Sequence, residues 1–233
     1  MNLLLISNST NAGEPYLQYP MAEIARTLRG VKEIVFVPYA AVTFSYAEYE
    51  RRVQARFDEL GIRVRSVHRS PNPRMMIRHA EAICVGGGNT FALAKKMQEQ
   101  QLMSAIRRRI EAGIPYVGWS AGSNVACPTI STTNDMPIVQ PASFDAIGAV
   151  KFQINPHYLD ANPAGHAGET REQRILEYIE TNPRRWVVGL REGSMLRLTD
   201  EGLALIGSKP LRLFKKGHPT RELQPGEDLS FLL

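Results

Sequence analysis

Short apolar runs alternate with amphipathic stretches along the first half of the chain. Five runs, NLLLISN (2–8), EIVFVPYA (33–40), IRVRSVH (62–68), EAICVGGG (81–88) and IPYVGWS (114–120), are brief and rich in Val and Ile. Their length and their polar or Gly/Pro boundaries predict buried strands. Between them, MAEIARTLRG (21–30), YAEYERRVQARFDELG (46–61), RMMIRHA (74–80) and FALAKKMQEQQLMSAIRRRIEAG (91–113) place apolar residues at helical spacing. Several close on Gly, which suits a helix C-cap. Strands alternating with helices predict βαβ units, and so an α/β fold with a largely parallel sheet flanked by helices on both faces.

After residue 120 the pattern loosens. An irregular stretch (127–150) leads to the strand-like KFQINPHY (151–158), a polar loop, the helix ETREQRILEYIE (169–180) and a second core strand, RWVVGLRE (185–192). From Ser194 to Gly217, short apolar runs joined at Gly and Pro predict antiparallel hairpins at one sheet edge. No repeat or low-complexity linker interrupts the chain, so residues 1–233 are expected to form a single α/β domain.

Bulk composition narrows the function classes. With 233 residues, 43% hydrophobic and 22% charged, the chain can bury a substantial core. Cys84 and Cys127 are too few for a disulfide framework, and their apolar surroundings suit buried thiols in a reducing compartment. No segment approaches the roughly 20 apolar residues of a membrane span, and the first residues lack the basic start of a signal peptide. A cytoplasmic protein without a membrane partner is expected. The net charge of +5 is dispersed, and its one dense run, Arg107–Arg109, is flanked by the core-type Ile106 and Ile110. That run reads as a solvated helix face, which argues against a nucleic-acid partner. No H-E-x-x-H, C-x-x-C or phosphate-loop motif occurs, so neither a metal nor a cofactor is expected.

The chemistry concentrates around Gly118-Trp119-Ser120-Ala121-Gly122. A G-x-S-x-G placed between a strand and a helix sets the serine on a sharp turn, which requires small residues two positions to either side. Ser120 is the candidate nucleophile, and the Ala121 N–H at the helix start is a candidate oxyanion donor. A serine hydroxyl needs a base. Of the five histidines, His79 and His218 suit structural or solvated positions, His68 ends a strand but runs into Arg69 and a Pro-rich turn, and His166 lies in a glycine-rich loop where a substrate contact stays open. His157, at the end of a predicted core strand, is the best placed, because α/β sites gather beyond the carboxyl ends of strands. Two acids compete to orient it. Glu192 ends another predicted core strand, whereas Asp135 gives the order Ser, Asp, His used by α/β-hydrolases. The run Gly86-Gly87-Gly88-Asn89-Thr90 joins a strand to a helix; it is no nucleotide motif, but it offers a second oxyanion donor at Gly88. On residues alone, an esterase or amidase, or a protein that only binds a small anion at the glycine loop, stays open beside a peptidase.

The segments ICVGGGNTF, YVGWSAGSNV and INPHY together make the chain resemble peptidase E, the α-aspartyl dipeptidases, along its whole length. That family is similar in fold to class I glutamine amidotransferases, whose nucleophile is a cysteine followed later by His-x-Glu. Here the position holds Ser120, and Tyr158 and Leu159 follow His157, so the third member must come from elsewhere in the chain. The resemblance implies a serine exopeptidase that cleaves small acidic Asp-Xaa dipeptides without metal or cofactor; cyanophycinase-like peptidases are nearer relatives of the same idea. An aspartate-specific site needs a cation. Arg171, at the start of the helix after His157, is the candidate because a guanidinium can hold both carboxylate oxygens, with Asn89 as a further substrate-binding candidate.

Overall fold

The structure is a computed structural model and describes residues 1–161, 165 and 167–233. In chain order the first half comprises β1 (Leu3–Ile6), α1 (Met21–Thr27), β2 (Glu33–Val37), α2 (Tyr46–Phe57), β3 (Arg63–Ser66), α3 (Pro73–Arg78) and β4 (Ile83–Val85). Next come α4 (Thr90–Glu99), α5 (Leu102–Glu111), β5 (Tyr116–Trp119) and the short α6 (Ala121–Asn124). The second half contributes β6 (Gln153–Tyr158), α7 (Arg171–Thr181), β7 (Val187–Arg191), β8 (Met195–Thr199), β9 (Gly202–Ile206), β10 (Leu211–Phe214) and β11 (Arg221–Leu223). Helix starts obey local chemistry. Ser45, Asn72 and Asn89 accept from backbone N–H groups of the first turns of α2, α3 and α4, and Thr170 forms a capping box with Gln173 at α7.

Seven strands form the central sheet in the order β3-β2-β4-β5-β1-β8-β9. The first five are mutually parallel, and β8 and β9 extend the edge antiparallel. Alternate residues of β1 serve opposite faces. Leu4 and Ile6 join one apolar cluster with Ile24 of α1 and Val53 of α2, while Leu3 and Leu5 join another with residues of α3, α4 and α5. Helices thus cover both faces, as the alternating pattern predicts. The expected helix over 91–113 is instead two. Gln101 adopts a left-handed backbone (φ 55°), because Leu93, Ala94 and Met97 fall out of helical phase with Leu102, Ala105 and Ile106. Breaking the axis there lets both stripes reach the same core.

A second, four-stranded sheet has the order β11-β10-β7-β6. β6 and β7, read from the sequence as core strands, lie in this second sheet rather than beside the strand that carries Ser120, and pair in parallel with each other. The reason is geometric, since β5 already has β4 and β1 on its two edges. Ile154, Val188, Leu211 and Leu213 bury one side of this sheet in the core beneath the central one, and α7 covers its other side through Ile175 and Ile179. At Glu192–Ser194 the chain passes from the second sheet back to the first, where the Ser7 N–H donates to the Ser194 carbonyl at 3.1 Å. Among the described residues, no helix is long and apolar enough to cross a membrane.

Candidate active site

Ser120 follows β5 with φ 54° and ψ −113°, a backbone region that L-residues rarely occupy and that costs of order 1–3 kcal/mol. Its neighbours permit the turn by lacking side chains. A methyl at Gly118 would lie 2.5 Å from the Gly122 carbonyl oxygen, and one at Gly122 would lie 2.1 Å from the Val85 oxygen. The Ser120 N–H is tied to the Ile6 carbonyl at 2.9 Å, and its own carbonyl accepts from the Ser123 and Asn124 amides. The turn is therefore anchored on both sides, with its hydroxyl at the carboxyl end of the sheet.

His157 arrives from the other sheet. It sits at a register shift in β6 opposite β7, and its φ is 53°. Such an irregularity re-aims a side chain that strand alternation would point elsewhere. Buried Ser7, just beyond β1, holds it: the Ser7 hydroxyl accepts the His157 N–H at 3.0 Å and donates to the Leu190 carbonyl at 2.7 Å. The result is a continuous chain. His157 Nε2 lies 2.8 Å from Ser120 Oγ, and His157 Nδ1 lies 2.7 Å from Glu192 Oε1. Asn8 supports the acid, since its Oδ1 accepts the Gly193 N–H at 2.9 Å and the Tyr19 hydroxyl at 2.7 Å. Ser7 and Asn8 escaped sequence reasoning; the polar SNST directly after a buried strand was their signal.

Asp135 is engaged elsewhere. Its Oδ2 accepts from the Thr90 N–H at 2.7 Å and the Thr133 hydroxyl at 3.1 Å, so it neutralises the amino end of α4 rather than touching His157. Asn89 is similarly committed. Its Oδ1 caps α4 through the Ala92 N–H, and one N–H of its Nδ2 donates to the Met136 carbonyl, so the amide is held by the amino end of α4.

The glycine loop borders the nucleophile: a methyl at Gly87 would lie 2.9 Å from Ser120 Cβ. Gly88 has φ 134°, and a side chain there would strike the Ala40 carbonyl at 2.2 Å. Among the described residues, neither the Gly88 nor the Ala121 N–H has a hydrogen-bond partner. Two unspent donors thus stand beside Ser120.

Arg171 opens α7, where a cation opposes the helix dipole. Partial burial and the neighbouring Arg174 lower its pKa, and Asp135, close enough to be felt, opposes them. Among the described residues no carboxylate pairs with it, whereas the next residue, Glu172, binds Arg212 at 2.9 Å and pins the first turn of the helix. The other histidines lie apart. His68 Nδ1 bonds the Ser66 hydroxyl at 2.6 Å, His79 caps α3 and His218 packs on Trp186, while His166 lies outside the described residues.

A strained serine on a strand–turn–helix, bonded to a histidine that is bonded to a carboxylate, defines a serine hydrolase site on an α/β sheet. Residues 3–206 match peptidase family S51. Over 232 residues the chain is 49% identical to the peptidase E of Nostoc, covering 99% of this chain and 96% of that one. It is 45% identical to the peptidase E of Salmonella paratyphi A, covering 97% and 99% respectively. A solved peptidase from an acI-B1 actinobacterium shares the fold, with a TM-score of 0.72 at 18% identity over 99% of this chain and 96% of that one. The chain belongs to peptidase family S51 and is a serine-type dipeptidase.

Proposed function

We propose that the protein hydrolyses dipeptides with an N-terminal aspartate through an acyl-enzyme on Ser120. The observation that carries this reading is the hydrogen-bonded series Ser120–His157–Glu192; it is supported by the Gly88 and Ala121 N–H groups, which have no partner among the described residues, and by Arg171, which feels the charge of Asp135. His157 Nε2 takes the Ser120 proton as Oγ attacks the aspartyl carbonyl carbon, and Glu192 stabilises the imidazolium through Nδ1. The carbonyl oxygen, now an anion, receives the Gly88 and Ala121 N–H groups. The C–N bond then breaks, His157 gives its proton to the departing amine, and the leaving residue diffuses away. Water, deprotonated by the same nitrogen, attacks the ester and frees aspartate and Ser120.

Arg171 supplies the selectivity. A guanidinium with no carboxylate partner among the described residues offers a substrate β-carboxylate two parallel N–H donors. The relatives named peptidase E agree with this reading. Its test is direct: the wild-type protein should cleave Asp-Leu and react stoichiometrically with a fluorophosphonate, both lost in Ser120→Ala. A folded wild type that neither cleaves nor labels would sink it.

A further inference from the structure

Tyr49 lies on α2, outside the reacting groups, with its ring buried beneath the glycine loop. Its hydroxyl oxygen is 3.0 Å from the Gly87 carbonyl oxygen and 3.0 Å from Trp119 Nε1. Chemistry fixes the direction of both bonds, because a carbonyl oxygen only accepts and an indole N–H only donates. Tyr49 therefore accepts from Trp119, and its single proton goes to Gly87. The Tyr16 hydroxyl, at 3.5 Å, adds at most a weak second donor. Burial pushes the Tyr49 phenol up, so that proton stays in place at neutral and mildly alkaline pH.

The Gly87 carbonyl and the Gly88 N–H belong to one planar trans peptide unit and point in opposite directions. A carbonyl drawn toward a buried phenol turns the N–H the other way, out of the core. The ends of the loop are anchored independently, Gly86 N–H to the Val37 carbonyl at 3.1 Å and Asn89 N–H to the Ala40 carbonyl at 2.9 Å. Those anchors do not reach the central peptide, whose two flanking residues are glycines with no Cβ to resist its rotation. Among the described residues, Tyr49 alone hydrogen-bonds this peptide.

We propose that Tyr49, braced by Trp119, is a positioning residue that locks the Gly87–Gly88 peptide with its N–H facing the oxyanion formed at Ser120. The proposal rests on the oxyanion role assigned to Gly88 above. It also explains the Trp of the G-W-S-A-G turn, since the residue before the nucleophile holds the phenol that aims the donor.

Tyr49→Phe keeps the ring and deletes the one proton bonded to Gly87. For aspartyl p-nitroanilide, kcat should fall about 10- to 100-fold, less than the loss of an oxyanion donor itself, with KM changed by no more than about twofold. Affinity for an aspartyl boronate, whose tetrahedral adduct on Ser120 places an oxygen in the hole, should fall by the same factor, with affinity for free aspartate unchanged. Tyr16→Phe removes a neighbouring buried hydroxyl that does not touch Gly87 and should keep full kcat. A folded Tyr49→Phe protein with unaltered kcat and boronate affinity overturns the proposal, while loss of turnover in Ser120→Ala in the same assay leaves the peptidase reading standing. A wild type inert on aspartyl substrates sinks that reading and the proposal with it. If Tyr49→Phe does not fold, NMR of the wild type decides: boronate binding should move the Gly88 amide proton downfield and leave the Gly87 carbonyl carbon in place. A Gly88 proton that does not respond, or a Gly87 carbon that shifts as the peptide turns over, overturns it.

Discussion

Replacing Glu192 by Gln tests the electrostatic half of the proposed triad. Where the amide turns its oxygen to His157 Nδ1–H, the ring keeps its tautomer and what disappears is the negative charge. With Nδ1 and Oε1 2.7 Å apart, the charge centres of imidazolium and carboxylate are about 4 Å apart, worth about 4 kcal/mol at an effective dielectric near 20 and about 1 kcal/mol in bulk water. The His157 and Glu192 side chains are 37% and 45% exposed, which places the pair between those limits. An intermediate loss of about 2–3 kcal/mol in the transition state corresponds to a fall in kcat of about 30- to 150-fold. That is well short of the roughly 10⁴-fold that accompanies loss of a buried triad acid. Initial rates on aspartyl p-nitroanilide, with circular dichroism to verify folding, measure it. Asp135→Asn is the comparison, because Asp135 serves the amino end of α4. A Glu192→Gln enzyme of wild-type kcat beside an Asp135→Asn enzyme reduced a hundredfold would refute the assignment.

Arg171→Ala should lower kcat/KM for aspartyl p-nitroanilide about 10- to 150-fold, the cost of a charge-assisted hydrogen-bonded pair, yet leave an uncharged p-nitrophenyl ester untouched; equal losses on both would remove Arg171 from the substrate pocket. Ser7→Ala leaves the His157 N–H and the Leu190 carbonyl buried without their shared partner, and should cost about 1–3 kcal/mol in urea unfolding along with a lower kcat; unchanged stability and rate would show that the bulge holds itself. Arg191 holds the Asp160 and Glu222 carboxyls below the usual carboxylate range, so their ionised forms favour the folded state above the ordinary value of about 4, and that contribution drains away as pH falls through the lower folded values. Arg191→Met should therefore shrink the gap in Tm between neutral pH and about pH 3, and an unchanged gap would contradict the linkage.

Local chemistry was the legible part. The elbow at Ser120 could be read because a strand, two obligatory glycines and a helix start are contiguous in sequence. His157 and Glu192 were legible as strand ends, and their geometry agrees with strand-end logic although both strands lie in the second sheet. Sheet membership depends on which edges remain free after β4, β5 and β1 have paired, and no local pattern encodes that. Asp135 and Asn89 looked available because loop polar residues carry no mark of their partners; both turn out to serve the amino end of α4. The break at Gln101 was hidden in a continuous helical composition, and only the phase of the buried residues on either side exposes it.

Division of the site between two sheets has a consequence for how the enzyme comes into being. The chain is made from its amino end, so the strained Ser120 emerges first, His157 follows 37 residues later and Glu192 another 35 after that. A nascent chain that has just passed β5 holds the proposed nucleophile without the proposed base. On the proposed triad, hydrolytic power needs His157 docked beside Ser120 and is completed by Glu192, so a chain truncated or stalled before His157 is born harmless to its neighbours.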